Sequence, residues 1–177
     1  DRATLEARLP GLVQLRRALR FAADGDLANA RTAIASAITD HETASTMHDL
    51  MRGDAQVLPG AWNNRAVCRL VAAQLAARAG DGEAAAAARR TAGEELERVL
   101  ATDATLPEVP FNLGVWQLQL AQVQQAMGNA AGAASCGRAA QRWFEHALMA
   151  APDGWQFAAM CRERQSDAAG LVATAHR

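Results

Sequence analysis

Lysine and tyrosine are absent from this 177-residue chain, and all eighteen basic residues are arginine. Without lysine there can be no P-loop lysine, no phosphate-binding lysine of a kinase lobe and no Schiff-base amine. β-Branched aliphatics are scarce: Val and Ile together number 11, against 44 Ala. Strands favour β-branched and aromatic residues, helices favour Ala, Leu, Arg, Gln and Glu, so the composition reads as helical. Cysteine is limited to Cys68, Cys136 and Cys161 with no C-x-x-C, which argues for small buried helix residues rather than disulfide or metal chemistry. No apolar run approaches the ~20 residues of a membrane span. A net charge of -1 argues against a nucleic-acid binder working through a basic face and against a polybasic anchor. No signal peptide is visible and the chain opens on Asp1, so a segment of a longer protein is expected.

Leu, Ile, Val and Phe sum to only 33 residues, a share close to that of disordered chains. Disorder also requires high net charge, which is missing, and the apolar residues here are periodic. The expectation is an ordered protein whose helices approach through small side chains.

Gly and Pro divide the chain into helix pairs. Leu9-Pro10-Gly11 opens the first, with Leu12, Leu15, Leu19 and Ala22 at helical spacing for the core. Asp24-Gly25-Asp26 stops it, and Asp26 caps a helix running to about Asp40. The polar stretch His41 to Met51 reads as a further short helix, and Pro59-Gly60 as a loop. A second pair starts near Trp62, breaks at Gly80-Asp81-Gly82 and resumes from Glu83 to Ala101. Pro107 and Pro110 bound a loop. A third pair runs from Phe111 to Met127 and from Ala130 to Ala151, and closing helices occupy 155–175. The interhelical glycines Gly25, Gly80 and Gly128 lie 55 and 48 residues apart. Shifts of those sizes superpose Leu15 on Leu70 on Leu118 and Ala18 on Ala73 on Ala121, the mark of an internal repeat.

These residues resemble the tetratricopeptide repeat family. From Gly11 to Ala44, the residues Ala18, Phe21, Gly25, Ala30, Ile34 and Ala37 fall in that family's small, aromatic and turn positions at its usual length. Ala121, Gly128, Ala133, Phe144, Ala147 and Pro152 do so in the third unit, whose end arrives seven residues late, and Ala73, Gly80, Ala85, Leu96 and Val99 in the second. The closing Pro of the second unit is missing, and Ala76 and Gln124 replace the aromatic. The resemblance implies an all-α, right-handed stack of about three antiparallel helical hairpins (units 11–44, 62–104 and 111–152) in a single domain over 1–177. Long units of this kind are similar to repeat segments attached to bacterial signalling proteins, including Ser/Thr kinases. The implied role is non-catalytic binding of a protein or peptide, without cofactor, nucleic acid or membrane insertion, in the cytoplasm or on an extracytoplasmic segment of a membrane-bound parent. A small-ligand sensor or enzyme with a pocket between helices is the alternative, as is a structural homodimerisation domain.

In this family the first helix of each pair lines a concave groove. The resemblance therefore places Asn63, Val67, Leu70 and Gln74 on that wall in the second unit, and Asn112, Val115, Leu118, Gln122 and Gln125 in the third. Amides donate and accept, so such a wall suits an extended or helical peptide. Other motifs read blandly. His41 and His48 share a helical face but lack the further ligands that a metal requires. Arg52-Gly53-Asp54 spells an adhesion tripeptide, with Gly53 reading better as a helix cap. No G-x-S-x-G elbow accompanies the Ser, His and Asp residues. Trp116 and Trp143 are expected in the core, and Trp155 over an open end. The clusters Arg16, Arg17 and Arg20, Arg89–Arg90 and Arg162–Arg164 are expected to be salt-bridged surface.

Overall fold

The computed structural model describes the backbone of residues 2–52 and 59–174, and the side chains of 10–46 and 59–174. Among the described residues there are seven helices and no strand: α1 (Arg2–Ala23), α2 (Leu27–Arg52), α3 (Pro59–Arg78), α4 (Gly82–Thr102), α5 (Glu108–Ala126), α6 (Ala130–Ala150) and α7 (Ala158–Thr174). The chain divides into two compact units, Asp1–Thr102 and Asp103–Arg177. In the first, α1 packs on α2, α2 on α3 and α3 on α4; in the second, α5 packs on α6, and α7 on both.

The three tight turns are built alike. Gly25, Gly80 and Gly128 have φ of 82°, 77° and 74°, a region that only glycine enters without strain. The next residue's N–H then donates back across the helix end: Asp26 to the Phe21 carbonyl, Asp81 to that of Ala76, and Asn129 to that of Gln124, at 2.8–2.9 Å. This is a Schellman closure. The same residue's side chain caps the following helix. Oδ1 of Asp26, Asp81 and Asn129 accepts from the N–H of Asn29, Ala84 and Gly132 at 3.1, 3.0 and 3.0 Å. One residue thus closes one helix and opens the next, three times over.

Packing follows the same register. Seven residues before each turn glycine stand Ala18, Ala73 and Ala121; five after it, Ala30, Ala85 and Ala133; twelve after it, Ala37, Ala92 and Ala140. All nine are at most 2% exposed. Sixteen residues after the glycine lies a larger group, His41, Leu96 or Phe144, each fully buried. Fourteen before it lies Gly11, Ala66 or Gly114. A Cβ on Gly11 would sit 2.6 Å from Nε2 of His41, and one on Gly114 would sit 2.5 Å from Cε1 of Phe144. A ring is therefore matched by glycine, and leucine by alanine, so that summed volume is conserved.

Several boundaries differ from the sequence reading. Helix α2 runs unbroken past Asp40, because the hydroxyls of Thr32, Ser36, Thr39, Thr43, Ser45 and Thr46 donate to the carbonyls four residues back and leave the backbone ladder intact. The first pair is accordingly as long as the others, and the two shifts carry through both helices without a seven-residue offset. Pro10 lies inside α1, which starts at Arg2 on good helix formers. Pro59-Gly60 and Pro110 occupy first turns of α3 and α5, where proline's missing N–H has no intrahelical partner to lose. Leu12 and Leu19, expected in the core, are 38% and 50% exposed, since α1 turns Gly11 and Ala18 toward α2 instead.

The second unit ends in an aromatic cluster. Phe111 packs against Phe144 and Phe157 with ring centroids 5.9 and 6.2 Å apart, and Trp155 meets Phe111 edge-on at 6.0 Å. Trp155 Nε1 donates to Glu108 Oε1 at 3.0 Å, tying the loop before α7 to the first turn of α5.

The size match gives a direct test. Gly114→Ala should overpack the α5–α6 contact and lower stability by roughly 1–3 kcal/mol. Adding Phe144→Leu, which recreates the Ala66/Leu96 pairing, should recover most of that loss in a urea-denaturation double-mutant cycle. Ala121→Leu, at a fully buried contact, should cost a similar ~1–3 kcal/mol without any such rescue.

Candidate interaction faces

In the first unit, α3 sets Val67, Leu70 and Gln74 three and four residues apart on one face. Leu70 is buried, Val67 half-buried and Gln74 exposed. In the second unit, α5 repeats the pattern: Val115 half-buried, Leu118 buried, Gln122 exposed, with Gln125 also exposed. Asn63 and Asn112 are buried, because they lie at the packed entries of α3 and α5, and so offer their amides to no surface. The accessible part of the anticipated wall is thus Gln74 in one unit and Gln122 and Gln125 in the other. Applying the 55-residue shift to Val67 and Gln74 gives Leu12 and Leu19, which occupy the same phase on α1. Their leucine character had pointed to the core, and the repeat register was the signal that could have placed them outside.

The strongest electrostatic feature is one the sequence did not reveal. Glu95 of α4 is buried, and its Oε1 accepts from Arg65 Nη2 at 2.9 Å and from Arg69 Nε at 3.1 Å. Arg65 is itself buried, stands 3.6 Å from Glu42 Oε1 through Nη1, and places its guanidinium 4.2 Å from the Trp62 ring centroid. Arg98 covers the same ring at 5.2 Å. The cluster joins α2, α3 and α4 in the first unit. Its carboxylate is shared by two guanidinium groups, which suits it to fixing helix positions. Glu95 Oε2, Arg65 Nε and Trp62 Nε1 are buried without a hydrogen-bond partner, so the cluster is held by charge with part of its polar surface unmatched.

Cys68 and Cys161 are buried and Cys136 is half-buried. Cys68 is buried beside Arg69 and Glu95, and desolvation pushes its thiol up from 9.0 to about 12. Burial pushes Cys161 up to about 11, and its thiol donates to the Phe144 carbonyl at 3.4 Å. Cys136 is also raised by desolvation. Among the described residues no group of three or more His, Cys, Asp or Glu could hold a metal ion. The side chain of His48 and residues Gly53, Asp54 and His176 lie outside the described residues. No helix among the described residues is long and apolar enough to cross a membrane. A wide, shallow depression of about 620 Å³ on α2 is lined by Arg31, Thr32, Ala35, Ser36, Thr39 and Asp40. Its hydroxyls already donate to their own helix, and Arg31 lies 3.6 Å from Asp81.

Trp116 and Trp143 are half-buried and not fully enclosed, and Trp143 stacks on His146 at 5.9 Å. The arginine clusters are less paired than anticipated: of those seven arginines, ion pairs within 4 Å among the described residues involve only Arg164, which meets Asp167 at 3.2 Å.

The sequence matches no known family model, and no curated protein matches it.

Two measurements check this electrostatic picture. Glu95→Ala, which strands Arg65 in the interior, should destabilise by about 3–5 kcal/mol in chemical denaturation. The Cys68 thiol ionises near 9.0 when unfolded and near 12 when folded, so the native state holds the extra proton between those values. Stability should therefore fall as pH rises from 9 toward 12, and Cys68→Ala should flatten that slope.

Proposed function

We propose that the chain is a non-catalytic protein-interaction module: a tetratricopeptide-like, right-handed stack of about three antiparallel hairpins with a closing helix. In this reading it belongs to a larger bacterial signalling protein, and the first helices of the pairs offer a peptide or protein partner a concave wall. One observation carries the proposal. The turn, the capping side chain and the buried small residues recur in a single register through three helix pairs, and the half-buried valine with an exposed glutamine recurs on α3 and α5 in that same register. Repeats of this kind put equivalent side chains on equivalent faces, which is how solenoids build extended binding surfaces.

Exposed glutamines suit this role, since each can donate to and accept from a peptide backbone without demanding a charged partner. The ionisable groups that are buried are spent on holding helices together. No cofactor is part of the proposal.

Partner capture from a bacterial lysate on the immobilised chain, followed by mass spectrometry, would supply the ligand for calorimetry. Gln74→Ala, Gln122→Ala and Gln125→Ala should each weaken binding by about 0.5–1.5 kcal/mol. Thermal unfolding should move by less than ~0.5 kcal/mol, because the sites are exposed. Substitution of exposed Arg90 and Arg142, on second helices, should leave affinity unchanged. Binding lost through Arg90 or Arg142 and indifferent to all three glutamines would move the interface to the opposite faces. Stoichiometric metal or nucleotide in the purified chain, or hydrolase activity lost on His41→Ala, would sink the non-catalytic reading.

A further inference from the structure

Helix α1 carries one continuous exposed face made of Leu12, Val13, Arg16, Arg17, Leu19 and Arg20. At helical spacing these six positions cover an arc of about 160°. Leu12, Val13 and Leu19 are 38%, 53% and 50% exposed. None of the three arginines lies within ion-pair distance of a carboxylate among the described residues, and their polar contact is one bond from Arg17 Nη1 to Gln14 Oε1 at 3.3 Å.

The register shows what such a face does elsewhere in the first unit. Fifty-five residues on, the positions of Val13, Arg16, Arg17 and Arg20 are held in α3 by Cys68, Val71, Ala72 and Leu75. Those four pack with Ala33, Ile34, Ala37 and Ile38 of α2. The face that receives a helix on α3 is therefore apolar, and its counterpart on α1 has, in place of Val71, Ala72 and Leu75, three guanidinium groups with no ion-pair partner among the described residues. A merely solvated end of a repeat array would be polar throughout. Three large exposed aliphatics among three exposed arginines form a different surface, one that is both apolar and strongly positive.

We infer that this face of α1 docks an acidic amphipathic helix from a partner protein. Its aliphatic residues would lie against Leu12, Val13 and Leu19, and its Glu and Asp side chains would meet Arg16, Arg17 and Arg20, whose planar forks match carboxylates. A second copy of this chain is a poor match. The acidic pair on its exposed α4 face, Glu94 and Glu97, is interleaved with the exposed Arg90 and Arg98. Nucleic acid is a poor match as well, since half of the face is aliphatic. The inference rests on the reading of the chain as an interaction module, but it uses α1 and not the glutamines of α3 and α5.

The probe is a fluorescein-labelled designed helix of roughly 18 residues, with a leucine stripe flanked by glutamates. Fluorescence anisotropy with the intact chain should show saturable binding. Arg16→Glu/Arg17→Glu/Arg20→Glu should weaken it by about tenfold or more, as expected when close charge pairs become like-charged. The milder Arg→Gln triple variant should show the same direction if the charge reversal disturbs folding. Arg138→Glu/Arg142→Glu on α6 should change nothing, and a lysine-for-glutamate probe should not bind. Absence of saturable binding, or equal losses in the α6 control, would overturn the inference. So would tighter binding of a single-stranded oligonucleotide, or self-association in sedimentation that the triple variant abolishes. Loss of this interaction while glutamine-dependent partner binding persists would leave the interaction-module reading standing; loss of both would remove the two together.

Discussion

Everything regular in this molecule depends on a left-handed glycine placed between two helices. With φ of +74° to +82°, Gly25, Gly80 and Gly128 let the backbone reverse while the residue after each returns its N–H to the preceding helix. Because that same residue caps the next helix, the reversal leaves no slack: both helix ends are fixed by one side chain and one backbone bond. The positions that face each other across each pair are set from there, five, seven, twelve, fourteen or sixteen residues away. A chain with few large aliphatics can then rely on alanine, since helices held this closely bury small side chains as completely as leucines would be buried at a wider spacing.

The turns were legible in the sequence for that reason: few residues other than glycine tolerate the required φ, and Asp or Asn beside it announces a cap. Seven of the nine buried alanines, with Leu96 and Phe144, stand among the positions named by the shifts and the family resemblance, and the structure adds Ala92 and Ala140. Helix α2 was misjudged because a run of Thr and Ser reads as a helix break, and only the three-dimensional ladder shows their hydroxyls folded back onto it. Leu12 and Leu19 were misjudged because a leucine at helical spacing has the same signature whether or not a neighbouring helix exists to cover it. Among the groove residues that the family resemblance implies, Gln74, Gln122 and Gln125 are exposed, whereas Asn63 and Asn112 are buried by neighbours that the resemblance does not count.

The ion cluster around Glu95 lay beyond the reach of sequence reasoning for another reason. Arg65 and Glu95 are thirty residues apart, and nothing local to either signals the other. In the repeat register their counterparts are Pro10 and Asp40 in the first pair, Leu113 and Trp143 in the third, so the Arg65–Glu95 ion pair has no equivalent in the other two pairs. A buried ion pair of this kind contributes little net stability, yet it is costly to break on one side. Its effect is to distinguish the second pair from its neighbours, with which it shares its turn and its small buried residues.

The exchange of size between the position fourteen before the turn and the one sixteen after it has an evolutionary corollary. If the three pairs descend from one ancestral pair, a leucine–alanine pair and a ring–glycine pair are separated by two substitutions that cannot be made in either order with equal ease. Enlarging the leucine first forces a ring onto a methyl group in a closed contact, whereas trimming alanine to glycine first opens a small gap at a modest helix cost. The permissive path therefore runs through glycine. Among relatives of this chain, a glycine opposite a leucine would be the intermediate to find, and a ring opposite an alanine the combination to find missing.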